Sequence, residues 1–441
     1  MRKFTFKNCL NRNLLTSLCL IAGMTASAQG SIKILNSMVS DGQTYQPEVE
    51  AISSNHRYVT GPAYNTTTGS TGMFIYDLET DNYAVKPAED EFGAVMRMVS
   101  DDGVAIGYNK QAVKLSIDGT TEYLDVAEGV TGQARDASDD LSLIVGCHYD
   151  TENPYFTTAC IWKDGKLIDL PVPSDEELGF ETNGSTAYYT TADGSIIVGY
   201  VVDNLSSMPL IVWYLQDDGT YKCDPVCTKY FSEWGDVEGR PYVMFSPQGL
   251  SRNGKYVSLN IMELKDVPSE QRMARYNLET KELEIYVADG LGDIKAQSEA
   301  QATAIADDGT MIGWVLSGSW VAQVRSAVIW NGNESEPKLL ANTYPEIPEI
   351  AEFDSYGFNT VCDITPDARY IAGFAMDERN NYTSFVIDRG DLATGISTPS
   401  SDKNATEVAR YAADGTQLAA PAKGLNIIKM SDGTTRKVIV K

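Results

Sequence analysis

The chain is poor in the side chains that most hydrolytic and metal chemistry requires. Only two histidines, His56 and His148, occur in 441 residues. That rules out a multi-histidine metal site and leaves a histidine-based triad little to draw on. No G-x-S-x-G elbow and no H-E-x-x-H run is present. Carboxylates, by contrast, are abundant: 61 Asp and Glu stand against 35 Lys and Arg. Asp150, Glu152, Glu233, Asp236, Glu238, Asp377 and Glu378 are candidates for paired acid–base work on a polysaccharide. Carboxylates this dense throughout the chain single out none of them.

Aromatic residues give a sharper pattern. Tyr155 and Phe156 lie beside a loop that also holds Tyr149. Tyr230, Phe231 and Trp234 lie in "CTKYFSEWGDVEGRPY", and Trp314 and Trp320 flank "VLSGS". Trp and Tyr with nearby carboxylates suit stacking on a sugar face or anchoring a protein contact. The competing reading is that each ring packs its own loop down, which is the commoner use of such a residue. The binding reading names Trp234, Trp320, Trp314, Tyr230, Phe231, Tyr155 and Phe156 as ligand contacts and assigns no catalytic residue. An enzyme with carboxylate catalysis is the alternative.

The N-terminus begins with Arg2, Lys3, Lys7 and Arg12, continues through the apolar "LLTSLCLIAGM", and reaches Ala26-Ser27-Ala28. This is the layout of a secretory signal peptide cleaved before Gln29. Without residues 1–28 the net charge goes from −26 to −30. Such acidity argues against nucleic acid and against anionic lipid. It leaves Ca²⁺ as the one cofactor the composition would suit, and otherwise none. Five cysteines follow the signal segment, an odd number. Cys147 and Cys160 sit symmetrically about Asn153 and Pro154, so they are either a cross-strand disulfide or two small buried residues.

What must position these residues is a repeat. The turn residues Asn55, Asp102, Asp140, Asp193, Asn253, Asp308 and Asp367 recur 38 to 60 residues apart. Each follows a segment such as "RMVSDD" or "RDASDD" and precedes an apolar run such as "SIIVGY". A second signature comes later in each unit, as in "TACIWKDGKLIDL" or "SAVIWNGNESEPKLL". Each unit therefore carries four short strands joined by tight turns, and seven units predict a seven-bladed β-propeller over residues 29–392. Apolar residues at successive positions in "ACIW" and "AVIW" fit sheets covered on both faces. The Asp-Gly turns read as hairpin chemistry rather than as Ca²⁺ loops. A Ser-x-Asp-x-Gly-x-x-Trp box is absent; "DDGTMIGW" places Trp314 five residues after Gly309, where the box needs three.

The stretch "ARDASDDLSLIVGCHYD" with "TTACIWKDGKLIDL" resembles the bacterial extracellular HAF-type repeats, whose core reads INxxGxIVG…AFxW. The resemblance covers most of residues 46–390 and implies the propeller fold, with little to say about a ligand.

Blade seven lacks an outer strand, because "TSFVIDRG" runs into a Ser/Thr-rich linker, residues 393–405. The orphan "SIKILN" at 31–36 is expected to supply it by pairing near Thr383–Ile387. Residues 406–441 change in kind. Residues 403–441 carry seven Lys and Arg against three Asp and Glu, and the tail reads as a small β-sandwich-like unit of four or five strands. Tyr411 to Gly415, Lys423 to Ile428 and the ending Lys437 to Lys441 resemble the C-terminal sorting signal of type IX secretion in Bacteroidota. That resemblance implies a secretion-machinery partner and a secreted or outer-membrane-surface location. In a propeller the tight turns between first and second strands share one face, while the second-to-third-strand and blade-to-blade connections, long and variable here, share the other. The expected protein is an exported, monomeric binding module for an extracellular glycan or protein, acting through that long-loop face.

Overall fold

A computed structural model describes residues 30–89, 93–203, 208–226, 236–237, 240–241, 244–262, 271–286, 296–319, 322–390, 407–412, 417–418, 420–430 and 435–440. The repeated turn is where the architecture starts. In blade four, Thr191 Oγ1 donates to Asp193 Oδ1 at 2.7 Å, and Asp193 Oδ1 accepts from the Ser195 N–H at 2.9 Å. Thr191 Oγ1 also accepts from the Ile196 N–H at 3.1 Å. The same three bonds recur at Ser53/Asn55, Ser138/Asp140, Ser251/Asn253 and Thr365/Asp367.

The residue after the Asp or Asn is left-handed in every blade. It is glycine in four blades, but His56, Leu141 and Ala368 hold φ of 56°, 58° and 61° in the others. A left-handed non-glycine residue costs about 1–2 kcal/mol, offset here by the turn's own hydrogen bonds. Those bonds also occupy the carboxylates. Amide and hydroxyl donation from Ser142 pulls Asp140 down to about 2. The turns are hairpin chemistry.

Seven blades follow, each with four antiparallel strands running from a central channel outward. The innermost strands are Gln43–Pro47 with Ala51–Ile52, Ala94–Val99, Val130–Ala137, Thr182–Thr190, Met244–Leu250, Ala296–Ile305 and Asn359–Ile364. Blade one adds a short strand, Met38–Ser40, against its innermost one. The final blade is completed from the N-terminal side, as expected. Ser31–Ile34 pairs antiparallel with Tyr382–Asp388, with Ile32 opposite Ile387 and Ile34 opposite Phe385.

Seven apolar clusters lie one between each pair of consecutive blades. The run Ala159-Cys160-Ile161-Trp162 shows how. Ala159 and Ile161 pack toward blade four, while Cys160 and Trp162 pack toward blade two. This answers the cysteine question too. Cys147 pairs with Ala159 and Cys160 with Gly146, so the two thiols point to opposite faces of the blade. Both are buried and free, and no disulfide joins them.

Helix is confined to connections. The longest described helix, Pro348–Ser355, sits in the passage from blade six to blade seven. The tail's described strands, Glu407–Ala412, Gly424–Met430 and Thr435–Val440, form one three-stranded antiparallel sheet. Among the described residues these three strands are what the tail shows of the four or five read from the sequence.

Candidate functional site

Every innermost strand is irregular at a matching place, and those of blades four and six slip a second time, between Thr182 and Gly184 and between Ala296 and Glu299. The matching slips fall between Met96 and Met98, Ala134 and Asp136, Ala187 and Tyr189, Pro247 and Gly249, Ala302 and Ala304, and Val361 and Asp363. Each of these is a β-bulge with one extra residue. The extra residues are Arg97, Arg135, Tyr188, Gln248, Thr303 and Cys362. In blade one, Glu48 to Glu50 make the same excursion between Pro47 and Ala51. Glu50, like the other bulge residues, stands three positions before the Ser/Thr-type position of its turn. All seven line a central cavity of about 480 Å³.

The second strand makes room for the bulge. Gly146 faces the Gln133 carbonyl so closely that a Cβ would meet its oxygen at 2.0 Å, and the Gly in the matching strand of five other blades is pinched alike. Blade five differs, placing Leu259 opposite Pro247. The repeat therefore ends in glycine because the neighbouring strand turns a side chain into the channel.

The channel is charged and largely self-paired. Arg97 Nη1 lies 2.6 Å from Glu50 Oε2. On the short-turn side Arg252 reaches across from blade five. It donates to the Thr190 and Ala137 carbonyls at 3.0 and 2.9 Å, and pairs with Asp139 at 2.5 Å and Asp136 at 3.4 Å. Asp136 also accepts the Thr190 and Ala137 N–H groups, both at 2.8 Å. Asp363 accepts from the Ile52 N–H at 2.9 Å and the Ile364 N–H at 2.8 Å, tying blade seven to blade one. Burial pushes the Asp363 carboxyl up to about 7 against these donors. Burial, reinforced by Glu50, pushes Glu48 up to about 7. Glu50 and Asp136 are raised by burial as well.

Aromatic rings gather near Glu48 on the long-loop side. Tyr382 lies 5.8 Å from Tyr64 and 5.7 Å from Phe374, which in turn lies 5.9 Å from Phe358. The sequence-derived contacts divide. Tyr155 and Phe156 are adjacent on the exposed start of Asn153–Lys163, at 87% and 51% exposure. Trp314 is buried. The Arg325 guanidinium lies 3.8 Å from its ring centroid and 4.1 Å from that of Phe358, so Trp314 is a packing residue between blades six and seven. Trp234, Tyr230, Phe231 and Trp320 lie outside the described residues. The bulge ring was missed by sequence reasoning, although the segments read as preceding a turn begin with it: "RMVSDD" with Arg97 and "RDASDD" with Arg135. Their shared offset was the signal.

No protein-family model matches the chain, and no curated protein matches it. Solved structures do. The polysaccharide lyase Uly1 is 11% identical with a TM-score of 0.46, over 80% of this chain and 93% of that one. The Dos1 propeller is 9% identical with a TM-score of 0.43, over 80% and 95%. The β-propeller domain of the Trilobed protease from Pyrococcus furiosus is 12% identical with a TM-score of 0.41, over 83% and 97%. The chain is a β-propeller module.

Proposed function

We propose that this protein is an exported binding module that holds part of an extracellular glycan in its channel, reached from the long-loop face. One contrast carries the reading. The turn repeats Asp or Asn in all seven blades, with Ser or Thr two residues earlier in six of them, as structural positions should. The bulge position, three residues before the Ser/Thr-type position, carries Glu50, Arg97, Arg135, Tyr188, Gln248, Thr303 and Cys362, a different set of donors and acceptors at nearly every blade. A ring built only to close itself has no use for that diversity; an asymmetric polar ligand does. The cavity, about 480 Å³, falls in the range of small-ligand sites, roughly 300–1,000 Å³. It is too small to admit a folded partner. Exposed Tyr155 and Phe156, at the start of the third strand of blade three, offer further stacking surface. Export rests on the signal-like residues 1–28 and the sorting-like tail.

The enzyme reading has one observation in its favour, the carboxyls of Glu48 and Asp363 at about 7. Asp363 and Asp136 spend their oxygens on backbone N–H groups, and Glu50 on Arg97. Glu50, the carboxyl that acts on Glu48, is held by Arg97, so binding is the better reading.

A glycan array on the full chain, with turnover assayed on every hit, tests this. Binding without turnover, weakened at least tenfold by Tyr188→Ala or Gln248→Ala at unchanged melting temperature, is the expected result. Binding indifferent to both substitutions would remove the channel from consideration, and turnover would restore the enzyme.

A further inference from the structure

Arg135 differs from the other two arginines of the channel. Arg97 is bonded to Glu50, and Arg252 spends its donors on two carboxylates and two carbonyls. Among the described residues Arg135 donates to Gln133 Oε1, at 2.7 Å from Nη2, and otherwise meets only the neutral Cys147 thiol. Its Nε is sealed from solvent and has no partner. A guanidinium carries five N–H donors in a fixed fork, so most of this one's capacity is unspent. Its surroundings are neutral. The Tyr188 ring lies 4.9 Å away, and the Cys147 thiol and the phenols of Tyr189 and Tyr200 complete the neighbourhood, with the thiol pushed up by burial. Among the described residues no carboxylate lies within ion-pair distance of it. Glu50, the acid that acts on it from blade one, is already held by Arg97.

A buried donor left unpaired costs about 1–3 kcal/mol. A planar fork held against an aromatic face is shaped for a two-oxygen anion. We propose that Arg135 anchors an oxyanion of the bound sugar, a carboxylate or a sulfate, so that the channel selects acidic glycans over neutral ones. This rests on the channel being the glycan site. The chain's overall negative charge opposes such a ligand only at long range, where physiological salt screens beyond about 8 Å. Within the cavity the acids are already donated to or paired, and the cation is the group with donors to spare.

Isothermal titration of the full chain decides it, with four probes: a uronic-acid oligosaccharide, a sulfated oligosaccharide, a neutral oligosaccharide of equal length, and a short peptide with a free C-terminus. One or both acidic sugars should bind at least tenfold tighter than the neutral sugar, and which of the two binds tighter identifies the oxyanion. Arg135→Gln should abolish the discrimination. Arg135→Lys, which keeps the charge without the fork, should retain only part of it and covers the case in which Gln unfolds the ring. Equal binding of acidic and neutral sugars, still lost on Tyr188→Ala, overturns the oxyanion inference and leaves the channel reading standing. A peptide that outcompetes both acidic sugars at Arg135 overturns the sugar assignment. Binding of no sugar by the wild-type chain overturns the channel reading itself.

Discussion

A Cβ placed on Gly146 would stand 2.0 Å from the carbonyl oxygen of Gln133, and that closeness is the other half of the bulge at Arg135. The extra residue bends the innermost strand into its neighbour. The neighbour yields by having no side chain there. Gly146→Ala should therefore destabilise the ring by about 3 kcal/mol or more, since backbone rather than a flexible side chain has to move. Arg135→Gln, one strand away, should cost far less. Denaturant unfolding of the two variants compares them, and similar losses would contradict the pairing of bulge and glycine.

Ring closure gives a second expectation. Ser31–Ile34 supplies the outer strand of blade seven, and Leu35 N–H continues the pairing to the Ser384 carbonyl at 2.9 Å. Lys33 then clamps blade one through Asp81 at 2.6 Å. Removing residues 31–36 leaves blade seven with an open edge and unties the chain ends. A loss of about 3 kcal/mol, or roughly 4 °C in melting temperature for a ring of this size, is expected by calorimetry. An unchanged transition would mean that the closing strand contributes nothing.

The pH dependence follows from Glu48. Its carboxyl sits at about 7 in the fold against 4.5 as a free group, raised first by burial and then by Glu50, and partly restored by Tyr382 and Arg97. Between those values the folded chain keeps a proton that the unfolded chain has released. The associated stability is thus present below about 4.5 and lost as pH rises through 7. Glu48→Gln cannot titrate. It should melt higher relative to the native chain at pH 8 than at pH 5, by on the order of 1–3 kcal/mol. Melting curves of the two proteins that run parallel across this range would show Glu48 to be ionised throughout.

The cysteines offer a chemical check. Burial raises the thiols of Cys147 and Cys160 well above their free value, and the register turns them to opposite faces. Mass mapping of the oxidised protein should find both free, and neither should alkylate before unfolding. A Cys147–Cys160 crosslink would require a register one residue out from the observed pairing.

Much of this fold was legible because its local rules are written in local residue types. The turn needs Ser or Thr, then Asp or Asn, then a left-handed residue, and those types recur visibly. Double-sided burial is equally visible in runs such as Ala159 to Trp162. The site was harder to read, for the opposite reason. A position defined by a bulge has no fixed residue type, so Arg97, Tyr188 and Cys362 share an offset and nothing else. Trp314 shows the limit from the other side. Its type and its place near a loop suggested a ligand contact, but only the fold supplies Arg325 and Phe358 to cover it.

That difference between Trp314 and the pair Tyr155 and Phe156 makes the last prediction. Trp314 is buried under the Arg325 guanidinium, so Trp314→Ala removes a core ring together with a cation–π contact. About 3–5 kcal/mol should be lost, and any fall in glycan binding should track unfolding. Tyr155 and Phe156 are largely exposed and stabilise little. Tyr155→Ala with Phe156→Ala should leave stability within about 0.5 kcal/mol. If the pair extends the channel's grip onto the rim, the double variant should weaken binding of long oligosaccharides several-fold while leaving short ones, which end in the channel, unaffected. Thermal melts separate the stability effects, and titration with two oligosaccharide lengths separates rim from channel. Equal weakening of short and long ligands would place Tyr155 and Phe156 within the channel's own reach, and no weakening of either would leave them as solvent-facing residues with no part in recognition.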